Sequence, residues 1–262
     1  MPEAINQPPI TSTAPITRME PDPTRRARSL ADLHCHTSAS FDSLSKPADV
    51  ARVAAERGLT HLAITDHDRI DGALAVRDAL AARSDGLAGL QIIVGQEVRT
   101  TTGDLIALFV EKPIPPGLAP AEAADRIREQ GGAVGLAHPY DRFRAGAARP
   151  GWEDELERLL PLLDYIETWN SRLMIGDGNR RAAELAHAHG LPGAAVSDAH
   201  TLMEVGVSYT IVDGPLGSAA DLRAGLVGAS IVTSHGSRLV RLAMPLAKAI
   251  QRMRGNRRVP VA

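Results

Sequence analysis

The sequence predicts an α/β protein of one domain, in which strands and helices alternate around a parallel sheet. Its 262 residues lie within the range over which α/β barrels form a single domain. From Leu30 onwards, short β-favouring runs alternate with amphipathic helical patterns, as they do in repeated βα units. Seven such runs are present, at residues 30–34, 61–65, 90–98, 133–138, 164–169, 194–198 and 229–234.

Helix boundary signals lie between these runs. The helical pattern at residues 47–57 begins with Pro47, which suits the first turn of a helix, and it ends at Gly58. The pattern at residues 119–130 ends at Gly131 in the same way. Because these signals agree with the apolar periodicity, helices are expected at both segments.

One more apolar run, at residues 105–110, follows the third run after the turn-forming segment Thr101-Thr102-Gly103. A connection this short is typical of a hairpin. We therefore interpret residues 105–110 as the hairpin partner of the third strand, and not as a wall strand of a barrel.

The two ends of the chain differ in composition from the middle. Residues 1–28 are rich in Pro, Thr and Arg and lack apolar periodicity, so a disordered tail is expected there. Residues 29–237 form the predicted folded domain. Residues 238–262 indicate a basic amphipathic helix and tail, interrupted by Pro245. We interpret this helix as packed on the domain, with a membrane-surface or partner helix as the alternative.

Composition excludes several classes of protein. The formal net charge of −2 lacks the basic excess that stable binding of duplex nucleic acid requires, so a small charged ligand is expected instead. The single cysteine, Cys35, cannot form an intramolecular disulfide and suits a reducing cytoplasm. No signal-peptide core and no apolar stretch of transmembrane length stand out. The expected location is the cytoplasm.

Polar residues stand at the C-terminal ends of five of the apolar runs. In a parallel barrel, the side chains that follow the strands meet at one end and form the active site, however far apart they lie in sequence. We expect convergence of Asp32-Leu33-His34-Cys35-His36, Thr65-Asp66-His67, Gln96-Glu97, Ala137-His138-Pro139 and Ser197-Asp198-Ala199-His200.

The spacing within two of these motifs indicates metal binding. Side chains two residues apart in extended structure point to the same side, which pairs His34 with His36 and Asp198 with His200. Imidazole and carboxylate ligands without thiolate suit Zn, Mn or Fe, and a carboxylate such as Glu97 can bridge two ions. Two ions about 3.5 to 4 Å apart can share a hydroxide and clamp the oxygens of a displacement at phosphorus. Metal-dependent cleavage of a phosphate ester is therefore the predicted chemistry.

Each motif taken alone has an ordinary structural explanation. Asp198 and His200 fit a plain turn, Glu97 fits a surface position, and His138 before Pro139 fits a restrained loop. The presence of polar motifs at five strand ends is what favours a metal site over these alternatives.

Five motifs in order resemble those of the polymerase and histidinol phosphatase (PHP) family. They are His34-Cys35-His36, Thr65-Asp66-His67-Asp68, Gly95-Gln96-Glu97, Ala137-His138-Pro139 and Ser197-Asp198-Ala199-His200. The resemblance covers roughly residues 30–235. It implies a distorted (β/α)7 TIM-like barrel that holds two or three divalent ions, and a stand-alone phosphoesterase activity.

The resemblance also implies a set of metal ligands. One ion would be held by His34, His36, Glu97 and Asp198, a second by Glu97, Asp42 and His67, and a third by His138 and His200. Asp42 stands where the family often has histidine, and a carboxylate can still ligate. Some relatives have a third-ion ligand after the glutamate, and Asp104 is the nearest substitute here. For Asp104 we favour a plain polar role beside the hairpin.

Four residues that follow the fourth and fifth runs are candidates for binding the phosphate of a substrate. They are Arg142, Arg144, Asn170 and Arg172. Asp68 and His200 are both candidates for protonating the leaving oxygen, and the sequence does not choose between them.

The leading hypothesis is hydrolysis of a small phosphate monoester, or of the phosphate at a nucleotide or oligonucleotide end, through a metal-bridging hydroxide. A histidinol-phosphate or phosphotyrosine phosphatase is the nearest alternative. A non-catalytic PHP interaction module is the alternative from another class, and loss of ligand residues would be its sign. The native ion and the oligomeric state are left open.

Overall fold

A computed structural model describes residues 28–81, 89–141 and 153–261. Within these ranges the chain forms nine strands: β1 (Arg28–Asp32), β2 (His61–Ile64), β3 (Gln91–Arg99), β4 (Asp104–Leu108), β5 (Ala133–Leu136), β6 (Tyr165–Asn170), β7 (Gly193–Val196), β8 (Tyr209–Asp213) and β9 (Ser230–Val232). The same ranges contain seven α-helices: α1 (Pro47–Glu56), α2 (Asp71–Ala81), α3 (Pro120–Glu129), α4 (Glu153–Leu159), α5 (Gly178–Ala188), α6 (Ala219–Leu226) and α7 (Arg238–Met253). The predicted N-terminal tail lies outside the described residues, except for Arg28, which begins β1.

The strands form one sheet that curls into a nearly closed barrel, in the order β7-β6-β5-β4-β3-β2-β1-β8-β9. Parallel pairing joins β1 to β2, β2 to β3, β5 to β6 and β6 to β7. The antiparallel strand β4 lies between β3 and β5. Strands β1 to β7 make up the wall, so the prediction of a distorted seven-stranded α/β barrel is confirmed.

The identity of one wall strand differs from the prediction. Residues 105–110 were expected to form a hairpin partner outside the wall, but they contribute β4, which pairs with both β3 and β5. The run at residues 229–234 was counted among the seven, but it contributes β9, which lies at the sheet edge beyond β8. Apolar periodicity shows that a segment is extended, and it does not show which neighbour the backbone pairs with.

The barrel closes where the ends of β1 and β7 meet. The backbone N–H of His36 donates to the carbonyl of Ala199 at 2.8 Å, and the N–H of Asp198 donates to the carbonyl of His34 at 2.9 Å. Nearer the start of both strands, β8 lies between them: it pairs with β1, and its threonine hydroxyl bonds to the backbone of Ala195 in β7. Closure therefore brings the first and last polar motifs together.

The helices begin and end where the sequence signals predict. Pro47 and Pro120 occupy the first turns of α1 and α3, where a missing backbone N–H costs no hydrogen bond. Gly58 and Gly131 follow the ends of these helices with φ of 80° and 76°. This left-handed conformation strains most side chains but not glycine.

Two apolar layers hold the barrel together, one between the sheet and the helices and one inside the barrel. Each large aliphatic side chain buried there, such as Leu62 or Ile64, contributes about 1.5–3 kcal/mol. The inner layer combines alanines with larger aliphatic residues such as Leu33 and Ile106, and Tyr165 is its largest member. A Cβ atom at Gly135 would overlap the Tyr165 ring, so the glycine makes room for the tyrosine.

The C-terminal helix α7 lies across the loop that follows β1. The side-chain amide of Gln251, which is 2% exposed, donates to the carbonyls of Ser38, Ser40 and Ser43 at 2.8, 2.9 and 2.6 Å. Asn256, just beyond the helix, donates to carbonyls of the same loop at 3.0–3.1 Å. The C-terminal segment thus packs on the barrel. No described helix, α7 included, is long and apolar enough to cross a bilayer.

Candidate metal centre

The polar motifs meet at the end of the barrel where the parallel wall strands finish. Asp104 reaches the same end because β4 is antiparallel and therefore starts there. Nine predicted or candidate ligands gather at this end, and none is more than 8% exposed. They are His34, His36, Asp42, His67, Glu97, Asp104, His138, Asp198 and His200.

Two of these histidines face each other in an unusual way. Nδ1 of His34 lies 2.7 Å from a carboxylate oxygen of Glu167, so this nitrogen carries a proton. Nδ1 of His36 lies 3.1 Å from the hydroxyl of Ser40, whose own proton goes to Asp66, so it carries one as well. The Nε2 atoms of the two rings are 2.9 Å apart. Two imidazole nitrogens at this distance need a shared proton or a cation between them.

Glu97 lies at the centre of the cluster. Its Oε2 atom is 3.2 Å from Nε2 of His36 and 3.0 Å from Nδ1 of His67, and it is buried without a hydrogen-bond partner among the described residues. Its Oε1 atom is 3.0 Å from Nε2 of His138. The two oxygens of one carboxylate thus reach two groups of histidines, as a bridging ligand does.

Asp42, His67 and His200 form a third part of the cluster. Oδ2 of Asp42 lies 3.4 Å from Nε2 of His67 and 3.5 Å from Nε2 of His200. Nδ1 of His200 is 3.0 Å from the carbonyl of Asp198, which can only accept, so the lone pair of this ring is on Nε2. The Oδ1 atom of Asp42 is buried without a hydrogen-bond partner among the described residues.

The structure sorts these residues into groups that differ from the ones implied by the resemblance. Ligand atoms within 4.8 Å of one another belong to His34, His36 and Asp198, to His36, His67 and His200, and to Glu97, Asp104 and His138. His200 therefore lies with His67 and Asp42, and the structure does not group it with His138 as expected. Asp104, for which a plain polar role was favoured, lies with Glu97 and His138. Burial and the charge of Glu97 raise the pKa of Asp104 to about 6.

The electrostatics of the cluster favour positive charge at its centre. Burial alone would lower the pKa of His67, but the carboxylates of Glu97 and Asp42 raise it well above its ordinary value. The same opposition between burial and neighbouring carboxylates raises the pKa of His34. Burial would raise the pKa values of Glu97 and Asp42, yet the histidines lower both well below their ordinary values. Protons or metal ions can supply the positive charge that this arrangement requires.

Backbone strain is concentrated at the same place. Asp68, His138 and Asp198 have φ values of 56°, 25° and 52°, in the left-handed region that non-glycine residues rarely adopt. Such residues cost about 1–3 kcal/mol each and occur mainly at functional sites. The fold tolerates this cost at three positions that lie in or beside the cluster.

The two candidate proton donors differ in their surroundings. Asp68 accepts a hydrogen bond from the backbone N–H of Arg99 at 2.9 Å, and burial raises its pKa. Burial, followed by the charge of Arg172, lowers the pKa of His200 to about 3. A ring that stays neutral offers a lone pair, which suits a metal ligand better than an acid. Of the two, Asp68 is the one whose surroundings favour the protonated form.

The predicted substrate residues are placed differently from one another. The side chain of Asn170 is fully buried, donates to Glu167 and Asp198 at 3.0 Å each, and accepts from the N–H of Arg172. Its polar atoms are thus occupied within the protein, which favours a positioning role over substrate contact. Arg172 is 7% exposed, and its Nε and Nη1 atoms have no hydrogen-bond partner among the described residues. Arg142 and Arg144 lie outside the described residues.

Sequence reasoning missed Glu167. Its Oε1 atom holds Nδ1 of His34, and its Oε2 atom accepts from the N–H of His138 at 3.0 Å and from Asn170. It is 1% exposed. The available signal was its place in the fifth run, where the charged Glu167 directly follows the apolar pair Tyr165-Ile166 near the C-terminal end of the strand.

Two family models match this chain. The model described as PHP domain matches residues 32–144, and the model described as PHP-associated matches residues 176–227. Together they include all nine residues of the cluster. Neither model reaches the C-terminal helix α7.

Similar sequences occur in two uncharacterised proteins of Methanocaldococcus jannaschii. One is 36% identical over 120 residues, which cover 42% of this chain and 67% of the relative. The other is 31% identical over 179 residues, which cover 68% of this chain and 68% of the relative.

Similar folds occur in solved structures. A two-domain protein of Bacteroides vulgatus, which contains a predicted PHP-like metal-dependent phosphoesterase, aligns with a TM-score of 0.65 at 18% identity, over 82% of this chain and 67% of that one. The lesion-specific endonuclease Q of Pyrococcus furiosus aligns with a TM-score of 0.58 at 17% identity, over 78% of this chain and 58% of that one. At these identities the likeness shows a shared fold.

Proposed function

This chain belongs to the PHP domain family, and from that premise we propose that it is a metal-dependent phosphoesterase. The proposed substrate is a small phosphate monoester or the phosphate at the end of a nucleotide or oligonucleotide. The facing pair of His34 and His36, with Nε2 atoms 2.9 Å apart beside a central oxygen of Glu97, carries the proposal. Such a buried pair needs a shared proton or a cation between its rings, and the Glu97 carboxylate beside it favours a divalent cation.

The side chains of the cluster fit two or three divalent ions, and their nitrogen and oxygen donors suit Zn, Mn or Fe. We assign His34, His36 and Asp198 to one ion, with Glu97 as the bridge to a second. Asp104 and His138 would hold that second ion together with Glu97. Asp42, His67 and His200 would hold the third. Three buried carboxylate oxygens without a hydrogen-bond partner among the described residues, in Asp42, Glu97 and Asp104, support this assignment.

Bound ions would supply Lewis-acid activation of water and neutralise the charge of the phosphate. The protein's own residues orient the metal-binding histidines and bind the phosphate. Glu167 and Ser40 hold the rings of His34 and His36 by their Nδ1 atoms, which fixes where the Nε2 lone pairs point.

Arg172 is the residue we assign to the phosphate of the substrate. Its guanidinium is buried, and its Nε and Nη1 atoms, which have no hydrogen-bond partner in the part of the chain that the structure describes, are donors that a phosphate oxygen would satisfy. The backbone N–H of Arg172 donates to Asn170, whose amide donates to Asp198, so the residue adjoins the cluster. Burial, followed by the charge of Arg172, lowers the pKa of His200 to about 3, in agreement with this position. A phosphate bound to Arg172 would therefore lie beside the ions.

A non-catalytic interaction module fits these observations less well. Burying one ionised group costs several kcal/mol unless a partner compensates for it. Nine buried ligand-type side chains would be an expensive feature in a module that needs only a surface. As the compartment we propose the cytoplasm, on the ground that the single cysteine, Cys35, is a buried free thiol.

The test combines metal content with hydrolysis. The purified protein would be reconstituted with Mn, Zn or Fe, its ions counted by elemental analysis, and its activity measured on an aryl phosphate, mononucleotides and a 5′-phosphorylated oligonucleotide. Two or more ions per chain are expected. Asp198→Ala should reduce kcat by at least about a hundredfold, because metal ions contribute several kcal/mol to such reactions.

The matched control is Asp213→Ala, since Asp213 has an exposed side chain whose ion-pair partner within the described parts of the chain is Arg28, on the surface. Ion content and kcat should be unchanged in this variant. A wild-type protein that binds no ion after reconstitution and hydrolyses none of the phosphates would contradict the proposal, and it would favour the interaction module.

A further inference from the structure

We propose that the C-terminal segment builds a second anion-binding subsite beside the metal centre, which takes a second phosphate group of the substrate. The subsite, called here the C-terminal basic pocket, is lined by Phe41, Lys248, Arg252, Arg257 and Arg258. Its place next to the reacting phosphate rests on the proposed function. Its ability to bind an anion does not.

The pocket is a concave space of about 660 Å³, a size typical of sites for small molecules. Four of its lining side chains are cationic. Arg258 lies 3.9 Å from the carboxylate of Asp68, while Lys248, Arg252 and Arg257 have no carboxylate within 4.0 Å among the described residues. Like charges that converge on one cavity repel each other, and a polyanion would relieve that repulsion.

Phe41 joins the pocket to the metal centre. Its ring centroid is 5.0 Å from that of His67. On the pocket side, the Arg258 guanidinium lies 5.4 Å and the Lys248 ammonium 5.6 Å from the same Phe41 centroid, within range of a cation–π contact. Because both distances are measured from the Phe41 centroid, the guanidinium carbon of Arg258 lies at most 10.4 Å from the ring centroid of His67. One small molecule can span that distance.

The pocket is held in a fixed position relative to the cluster. Gln251 and Asn256 bind carbonyls of the loop that carries both Phe41 and the candidate ligand Asp42. Farther along, the guanidinium of Arg99 donates to the carbonyl of Val259 at 2.6 Å. The cations are therefore anchored to the same loop as the metal centre, which suits the simultaneous binding of two phosphates.

Neither family model extends beyond residue 227, so the segment that supplies these cations is separate from the matched regions. An anionic membrane is the other partner that a basic amphipathic helix can serve. The charges here converge on a cavity beside the half-buried ring of Phe41, and a flat lipid surface would not reach into it. The geometry therefore favours a small anion.

The binding test uses metal-free protein, so that it does not depend on catalysis. Pyrophosphate binding would be measured by calorimetry for the wild type and for Lys248→Gln/Arg252→Gln. Because a hydrogen bond to a charged group is worth more than one between neutral groups, a loss of affinity of about tenfold or more is expected. The matched control is Arg52→Gln/Arg254→Gln, which removes the same charge from exposed positions outside the pocket and should bind like the wild type.

Kinetic measurements on the reconstituted enzyme test whether the subsite binds a second phosphate of the substrate. The pocket variant should raise KM for a sugar bisphosphate or for a 5′-phosphorylated dinucleotide, with kcat and the KM for the matching monophosphate unchanged. Whichever of the two compounds responds identifies the source of the second phosphate. Arg257→Gln serves as a second variant, with the same direction expected.

Equal pyrophosphate affinity in the wild type and both pocket variants would overturn the subsite. Binding of the wild type to phosphatidylserine vesicles, with no measurable affinity for pyrophosphate, would overturn it in favour of a membrane surface. Loss of pyrophosphate binding in the pocket variants, in a protein that hydrolyses no phosphate, would sustain the subsite while the proposed function fails.

Discussion

Replacing Glu167 with glutamine tests whether the orientation of His34 controls ion binding. Oε1 of Glu167 accepts from Nδ1 of His34 at 2.7 Å, and Oε2 accepts from the N–H of His138 and the amide of Asn170 at 3.0 Å each. A glutamine has one accepting oxygen and one donating NH2 group. Whichever way it points, the NH2 group faces a donor, so Glu167→Gln must disturb at least one of the two sides.

The size of the effect follows from the position of this contact behind a metal-binding histidine. Loss of such a partner typically weakens ion binding about 10- to 100-fold, which corresponds to about 1.4–2.7 kcal/mol. The carboxylate of Glu167 also raises the pKa of His34, although burial opposes it. The predicted loss therefore lies in ion affinity, and the barrel itself should remain folded.

The assay is calorimetric titration of metal-free protein with Mn or Zn, accompanied by chemical denaturation. Asp164→Asn is the matched control, because Asp164 is also a buried carboxylate with three contacts: Arg128, Arg223 and the N–H of Val134. These contacts lie at the opposite end of β6, so the control should lose stability and keep its ion affinity. An unchanged ion affinity in Glu167→Gln would refute the reasoning.

Three further predictions follow from the same contacts. Glu97 and Asp42 outweigh burial and raise the pKa of His67 well above its ordinary value, so this ring holds a proton more firmly than a free histidine does. Ion binding must displace that proton, so ion affinity should rise with pH, and calorimetry in buffers of different ionisation enthalpy should detect the proton release. An affinity that does not vary with pH would contradict this. Gln251→Ala should lower the free energy of unfolding by about 1–3 kcal/mol, because buried carbonyls lose their donor. The control Met253→Ala, at a residue 80% exposed on the same helix, should change it by less than about 0.5 kcal/mol. Denaturant titration compares the two variants, and equal losses of stability would contradict a stabilising role for the Gln251 contacts. Gly135→Ala should cost about 1–3 kcal/mol by overpacking against Tyr165, with ion affinity retained, and a thermal melt identical to that of the wild type would contradict the packing argument.

The sequence by itself determined the fold class and the chemical character of the site. Pro47 and Gly58 act locally, through a missing N–H and a left-handed φ, so the boundaries of α1 are readable without any partner. The ligand-type side chains can also be predicted from their local sequence. A histidine or carboxylate at the end of an apolar run, such as His138, is costly to bury without a function, and parallel strands end at a common place.

Only the tertiary structure decided which of these residues act together. The hairpin predicted from the sequence pairs β4 with β3, but only the structure shows that β4 also pairs with β5 and so belongs to the wall, which puts Asp104 beside Glu97 and His138. Glu167 holds His34, which lies 133 positions away in the chain. The sequence does not show that closure of the barrel brings these two residues into contact. Strand propensity and helix capping depend on a few adjacent residues. Hydrogen-bond partners, shared ions and the placement of α7 over the loop after β1 depend on distances that exist only once the barrel has closed.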